Sequence, residues 1–186
     1  MDLIPVLRIG WLNGWLGVVL LGLTEWILFM VFPKNVVARL FDRSGWSRRQ
    51  KAFTIAGKLC ALVCLFFIAL TPLKVDSLVF IIGAILVVLG LTGLVKVLFD
   101  FKNTPLDEPV THGLYKVSRH PQIVMTAVVL LGTSIAIGSW LALILLIIAR
   151  LLEHFGILAE EEVCLKRYGE PYRTYMKEVA RYFVLF

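Results

Sequence analysis

Residues 122–159, QIVMTAVVLLGTSIAIGSWLALILLIIARLLEHFGILA, decide how this chain folds. The run is apolar almost throughout and about twice as long as the roughly 20 residues that carry one helix across the hydrocarbon of a bilayer. It therefore needs a reversal, and Ile137-Gly138-Ser139-Trp140 is the place where Gly and Ser permit one. The segment reads as two helices in a hairpin. Its first arm, Gln122–Ile137, is short enough to require tilting or local thinning of the membrane.

Three further apolar stretches lie upstream, at Trp11–Phe32, Phe53–Leu73 and Leu78–Phe99. The expected fold class is thus an all-α integral membrane protein with five transmembrane helices, the last two a hairpin, followed by a cytoplasmic C-terminal helical segment. Composition agrees, because 59% of the 186 residues are hydrophobic and 17% are charged, whereas soluble domains average about a quarter charged. One domain is expected over 1–186, with three spans in 1–99 and a loop, hairpin and tail in 100–186. Nothing resembling a cleavage site follows the first apolar run, so that run is expected to stay as a span.

Charge gives the orientation. The Pro33–Ala52 loop holds six Lys and Arg, the Asp100–Pro121 loop three, and the segment from Arg150 onward six, against Arg8 and Lys74 on the other side. This bias places the long loops and the C-terminus in the cytoplasm and the N-terminus outside. The net charge of +6 sits in short segments between apolar runs, as at an anionic membrane surface and not as on a nucleic-acid face. Cys60 and Cys64 are one helical turn apart in an apolar run and read as buried thiols, not as a disulfide or metal site. Gly10, Gly14, Gly17, Gly83, Gly90 and Gly93 offer close helix contacts within one bundle. No pattern fixes an oligomeric state.

Charge inside the membrane is costly and calls for a purpose. Glu25 lies deep in the first span, where it would pair with Lys58 or Lys96, take a proton, or meet a substrate. Arg150, Glu153, His154, Ile157, Glu160 and Glu161 recur at helical spacing, which puts most of them on one face. That stripe reads as either a solvated interfacial helix or the wall of a site. Ahead of the hairpin, Arg119 and His120 precede Pro121, a residue favoured at the first position of a helix. A helix N-terminus suits an anion, Arg119 adds bidentate grip, and His120 is a donor or proton carrier. Anchoring to lipid headgroups would use the same residues.

Taken in order, Gly113-Leu114-Tyr115, Arg119-His120-Pro121, the turn Gly138-Ser139-Trp140, Glu160-Glu161 and Tyr168-Gly169-Glu170-Pro171-Tyr172-Arg173-Thr174-Tyr175 resemble the isoprenylcysteine carboxyl methyltransferase and phospholipid methyltransferase superfamily over roughly residues 95–182. Asn103-Thr104-Pro105 suits its bacterial-type members. The resemblance implies S-adenosylmethionine as cofactor, bound from the cytoplasm, and a lipid or prenylated acceptor entering from the bilayer. It places Tyr115, Arg119, His120 and Pro121 near the cofactor, Glu160 and Glu161 near the cofactor or reaction centre, and Tyr172 and Tyr175 in a tail that covers it. An amine acceptor would need a base, Glu161 or His120, whereas a carboxylate acceptor would need a cation, Arg150 or Arg173. The chain departs from the family pattern at Leu114 (usually Pro), at Ile123 (usually Tyr), and in Arg181-Tyr182-Phe183-Val184-Leu185-Phe186, which lacks a common proline. The alternatives are a nicotinamide-dependent reductase of the steroid 5α-reductase type, for which no dinucleotide fingerprint is present, and a transporter or scaffold, which would spread polar residues over several helices.

Overall fold

In the computed structural model, residues 1–3 and 5–182 are described, and they contain seven α-helices, one 3-10 turn and no strand. The helices are α1 (Trp15–Val31), α2 (Lys34–Leu40), α3 (Arg48–Leu70), α4 (Leu78–Lys102), α5 (Pro121–Ala136), α6 (Trp140–Tyr168) and α7 (Glu170–Glu178), with the 3-10 turn at Gly113–Lys116. Among them α3, α4 and α6 are long and apolar enough to cross a membrane, while α1 and α5 are shorter apolar helices of 17 and 16 residues. The chain is an all-helical membrane protein. Phe183 to Phe186, the end of the departure noted in the tail, lie outside the described residues.

The hairpin turns where the sequence places it. Gly138 has φ +65°, a left-handed conformation that a side chain disfavours, and a Cβ there would sit 2.8 Å from Lys74 Cε. Ser139 then caps α6, its Oγ accepting from Ala142 N at 3.2 Å. Two other boundaries shift. Helix α3 begins at Arg48, ahead of the expected Phe53, because Ser47 and Gln50 form a capping box that draws the basic turn into the helix. The basic loop itself contains the unforeseen α2, introduced by Pro33.

Packing follows the small residues. Helix α4 lies chiefly on α5, and α3 on α6. A Cβ on Gly83 would come within 2.4 Å of Gly132 O, and one on Gly132 within 2.6 Å of Gly83 O, so these two backbones are in direct contact. Gly17 of α1 faces the side chain of Thr133 of α5, which leaves no room for a Cβ. Ile68, Leu94, Leu98, Val129, Ile137 and Ala142 fill the centre. Outward, Ile55, Leu59, Leu62 and Phe66 on α3 and Ile81, Ile85 and Val88 on α4 remain exposed, an apolar belt that water would not tolerate but lipid does. Cys60 and Cys64 are free thiols turned toward the Leu145 and Ala142 carbonyls of α6.

The bundle has two distinct ends. At one, the N-terminal segment, the α3–α4 loop and the hairpin turn are stitched together by Asp2 N to Gly138 O (2.8 Å), Leu73 N to Leu12 O (2.8 Å) and Lys74 N to Ala136 O (3.0 Å). At the other gather α2, the α4–α5 loop, the C-terminal half of α6 and α7, tied by Arg39 to the carbonyls of Thr104, Pro105 and Glu108. At about 1.5 Å per residue the 29-residue α6 spans about 43 Å, longer than the roughly 30 Å of hydrocarbon, so its last turns project toward this second end. Glu25 is half-buried on α1 and forms no ion pair among the described residues. Lys96, one of its expected partners, is held instead by Asp100 one turn along α4.

Adding a methyl at Gly83 should force α4 from α5 and cost about 1–3 kcal/mol. Gly22, where an added Cβ would have nothing within 4 Å, is the control. Thermal unfolding in detergent should show Gly83→Ala clearly destabilised and Gly22→Ala close to wild type; equal melting temperatures would contradict the packing.

Candidate functional site

The polar end is organised by the loop that leads into α5. The 3-10 turn starts at Gly113, at φ +60°, where a Cβ would collide with the Asp100 carboxylate and only glycine fits, and Tyr115 in that turn is buried. Ser118, fully buried, donates from Oγ to Arg181 O at 2.9 Å and accepts from His120 N at 3.2 Å. Pro121 then opens α5, with His120 at the cap position. Helix α7 closes over this loop: Tyr175 Oη donates to Tyr115 O at 2.7 Å, and Arg119 N donates to Ala180 O at 2.9 Å. Proline near its start and Gly169, at φ +61°, separate α7 from α6 and set the angle between them.

Glu161, with its side chain 4% exposed, is the junction of these parts. Arg181 grips it bidentately, Nε to Oε1 at 3.0 Å and Nη2 to Oε2 at 2.7 Å. His120 Nε2 lies 3.3 Å from Oε1. Arg119 Nε is 2.9 Å from the same oxygen, off-axis and without an aligned hydrogen bond, while its Nη1 donates to Met176 O at 2.7 Å. Glu161 thus fastens the α5 N-terminus, α6 and the segment after α7 to one another. Its neighbour Glu160 is different: 44% exposed, it stands 3.6 Å from His120 Nδ1.

Beside this junction is a cavity of about 290 Å³, near the lower end of the range for small-molecule sites. Its walls come from α2 and the residues after it (Arg39 to Arg43), Phe101, Val110, Tyr115, Arg119, His120 and Ile123, the α6 face Glu160, Val163, Cys164, Arg167 and Tyr168, and Tyr172 and Tyr175 of α7. Burial raises the hydroxyls of Tyr115, Tyr172 and Tyr175 above the ordinary tyrosine range, so they act as neutral donors beside aromatic surface. Asp42, held at about 2 by hydrogen bonds from Ser44 and then from Arg167, stays anionic and clamps the loop after α2 to α6 through the Asp42–Arg167 ion pair at 2.5 Å. Residues suited to hold a metal ion do not cluster among the described residues.

The structure brings together Tyr115, Arg119, His120, Pro121, Glu160, Glu161, Tyr172 and Tyr175, of which Pro121 and Glu161 stand behind the cavity wall and not in it. Arg150 and Arg173 do not join them. Arg150 pairs with Glu153 at 2.7 Å and Arg173 with Glu170 at 2.7 Å, neither lining the cavity. The sequence reading missed Arg39, Asp42, Arg43, Arg167 and Arg181. Arg39 reaches residues 65 to 69 positions away, and Arg181 meets Glu161 20 positions away, so local periodicity holds no trace of either. The one available signal was Pro33 followed by the short helical stretch of α2.

Replacing Glu161 by Gln leaves Arg119 and Arg181 facing an uncharged amide in a buried setting. Loss of one partner from such a cluster costs about 3–5 kcal/mol. The Glu161→Gln protein should melt well below wild type and be cut by trypsin near Lys177 and Arg181 under native conditions; wild-type stability and protection would contradict the junction.

Comparison with curated proteins finds no match, and comparison with solved structures finds none. The model of the phospholipid methyltransferase family does match, over residues 75–171, a stretch running from the start of α4 to the start of α7 that includes the loop before α5, the hairpin and the paired glutamates. On that match, which takes in more than half of the chain, the protein belongs to the phospholipid methyltransferase family.

Proposed function

We propose that the protein transfers a methyl group from S-adenosylmethionine to the amine of a hydrophobic acceptor resident in the membrane. In this reading α1, α3, α4, α5 and α6 all cross the bilayer, with the cavity end in the cytoplasm and the hairpin turn outside, an orientation that the distribution of Lys and Arg supports. The observation that carries the proposal is the convergence of the α5 N-terminus, Glu160 and the tyrosines of α7 on one cavity at the polar end of an apolar bundle.

The wall residues suit the cofactor class. Tyr115, Tyr172 and Val163 offer aromatic and aliphatic surface for a purine, and Glu160 offers acceptors for ribose hydroxyls or an amine. The uncapped N–H groups of the first turn of α5 suit a carboxylate, and Arg119, itself held by Glu161 and Met176 O, adds positive charge to the same wall. When bound, the cofactor supplies an electrophilic methyl on a sulfonium centre for in-line displacement. What remains for the protein is to orient the acceptor, exclude water and take its proton.

The proton acceptor in this reading is Glu160 with His120, not Glu161. Both oxygens of Glu161 are committed to arginines and histidine, so it holds Arg119 and His120 in place as a positioning residue. Glu160 faces the cavity and retains exposure. The cations expected to hold a carboxylate acceptor, Arg150 and Arg173, are paired away from the cavity. The family supports methyl transfer over the reductase and transporter readings.

The test is transfer of labelled methyl from S-adenosylmethionine to aminolipids in mixed micelles by purified protein. Glu160→Gln should lower kcat by about 100-fold or more while retaining the fold. Unchanged kcat in that variant would remove Glu160 from the chemistry, and absence of transfer to any lipid by folded wild type would overturn the proposal.

A further inference from the structure

Four arginines line the cavity, and three of them are already engaged. Arg39 donates to the carbonyls of Pro105 and Glu108 at 2.9 and 2.6 Å. Arg119 is held by Glu161 and Met176 O, and Arg167 by Asp42. The Arg43 side chain makes no hydrogen bond or ion pair among the described residues, although its guanidinium lies 5.6 Å from the centre of the Trp46 ring.

Arg43 is nevertheless held in position. On one side Asp42 accepts from Ser44 N at 2.9 Å and pairs with Arg167. On the other, Gly45 at φ +82° turns the chain so that Trp46, 7% exposed, packs toward Gly156 of α6. Arg43 is thus an exposed cation at the cavity wall, carried on a backbone fixed from both sides and resting over a ring face, and it precedes the part of the chain that the family model covers. Its opposite in charge within the same wall is Glu160.

Resting on the methyl-transfer reading above, the geometry points to Arg43 as the residue that reads the acceptor: it binds the phosphate diester of a lipid headgroup whose amine is directed to Glu160 and His120. A guanidinium matches phosphate oxygens bidentately and is hydrated weakly enough to exchange water for them. The same cation could in principle hold the carboxylate of the cofactor, and the two sources are separable by experiment.

The experiment is calorimetric titration of detergent-purified wild type, Arg43→Gln and Arg43→Lys with three probes: short-chain phosphatidylethanolamine, a long-chain primary amine lacking phosphate, and S-adenosylhomocysteine. Arg43→Gln should weaken phosphatidylethanolamine binding about tenfold, equivalent to about 1.4 kcal/mol, and leave the amine and S-adenosylhomocysteine within about twofold of wild type. Arg43→Lys should recover part of the loss. Weakening confined to S-adenosylhomocysteine would assign the cation to the cofactor and overturn the inference, as would equal loss for both amphiphiles or no change with any probe. Failure of wild type to bind S-adenosylhomocysteine while the phosphate-dependent loss persists would count against the methyl-transfer reading alone.

Discussion

A single buried carboxylate, Glu161, holds the working end of this protein together. It meets Arg181 through two hydrogen bonds and adjoins His120 and Arg119, so three segments distant in sequence share one anion. Burying a carboxylate is costly unless it is paired and hydrogen-bonded. Here the cost is offset by cations that have few other partners, and the cluster is stable only when α5, α6 and the segment after α7 are all in place. The cavity is a consequence of that agreement: its tyrosines come from the loop before α5, the end of α6 and α7, and its carboxylates are Glu160 of α6 and Asp42 after α2.

The apolar bundle supplies the frame on which this junction is built. Because α5 and α6 form a hairpin, the start of one and the end of the other lie at the same end of the bundle, and Arg119, His120, Glu160 and Glu161 meet without any long excursion of the chain. The close contact of Gly83 with Gly132 fixes α4 against α5, and with it the 3-10 turn that carries Tyr115. Helix α6 projects past the apolar region, so its last turns can present charge to an aqueous cavity while its first turns remain among lipid-facing helices. In the methyl transfer proposed above, that geometry would let a polar cofactor and a bilayer-resident acceptor approach one wall from different phases.

Much of the frame was legible in the sequence because its determinants are local. Gly138 and Ser139 announce the turn by backbone freedom and capping, and Pro121 announces a helix start. The grouping of Tyr115, Arg119, His120, Glu160, Tyr172 and Tyr175 came from the order of short motifs, and the structure places them around one cavity. Arg150 was grouped with Glu161 because helical spacing reports which face a residue occupies and not how far along the axis it lies. Eleven positions separate the two, about 16 Å of helix, and Arg150 ends beside Glu153. Helix α2 was invisible for the opposite reason: with 7 residues it has little stability of its own and depends on Arg39 reaching Thr104, Pro105 and Glu108. Arg181 likewise acquires its role through a contact that no local pattern encodes.

Methyl transfer at this end of the bundle, as proposed, requires that the cavity beside Glu161 be the place where the cofactor binds. The most direct measurement is an experimental structure of the detergent-solubilised protein with S-adenosylhomocysteine. The account predicts the nucleoside between Tyr115, Tyr172 and Glu160, with the Arg181–Glu161 pair intact behind it. Density for the ligand elsewhere, or a cavity that binds it only after Arg181 has left Glu161, would contradict it.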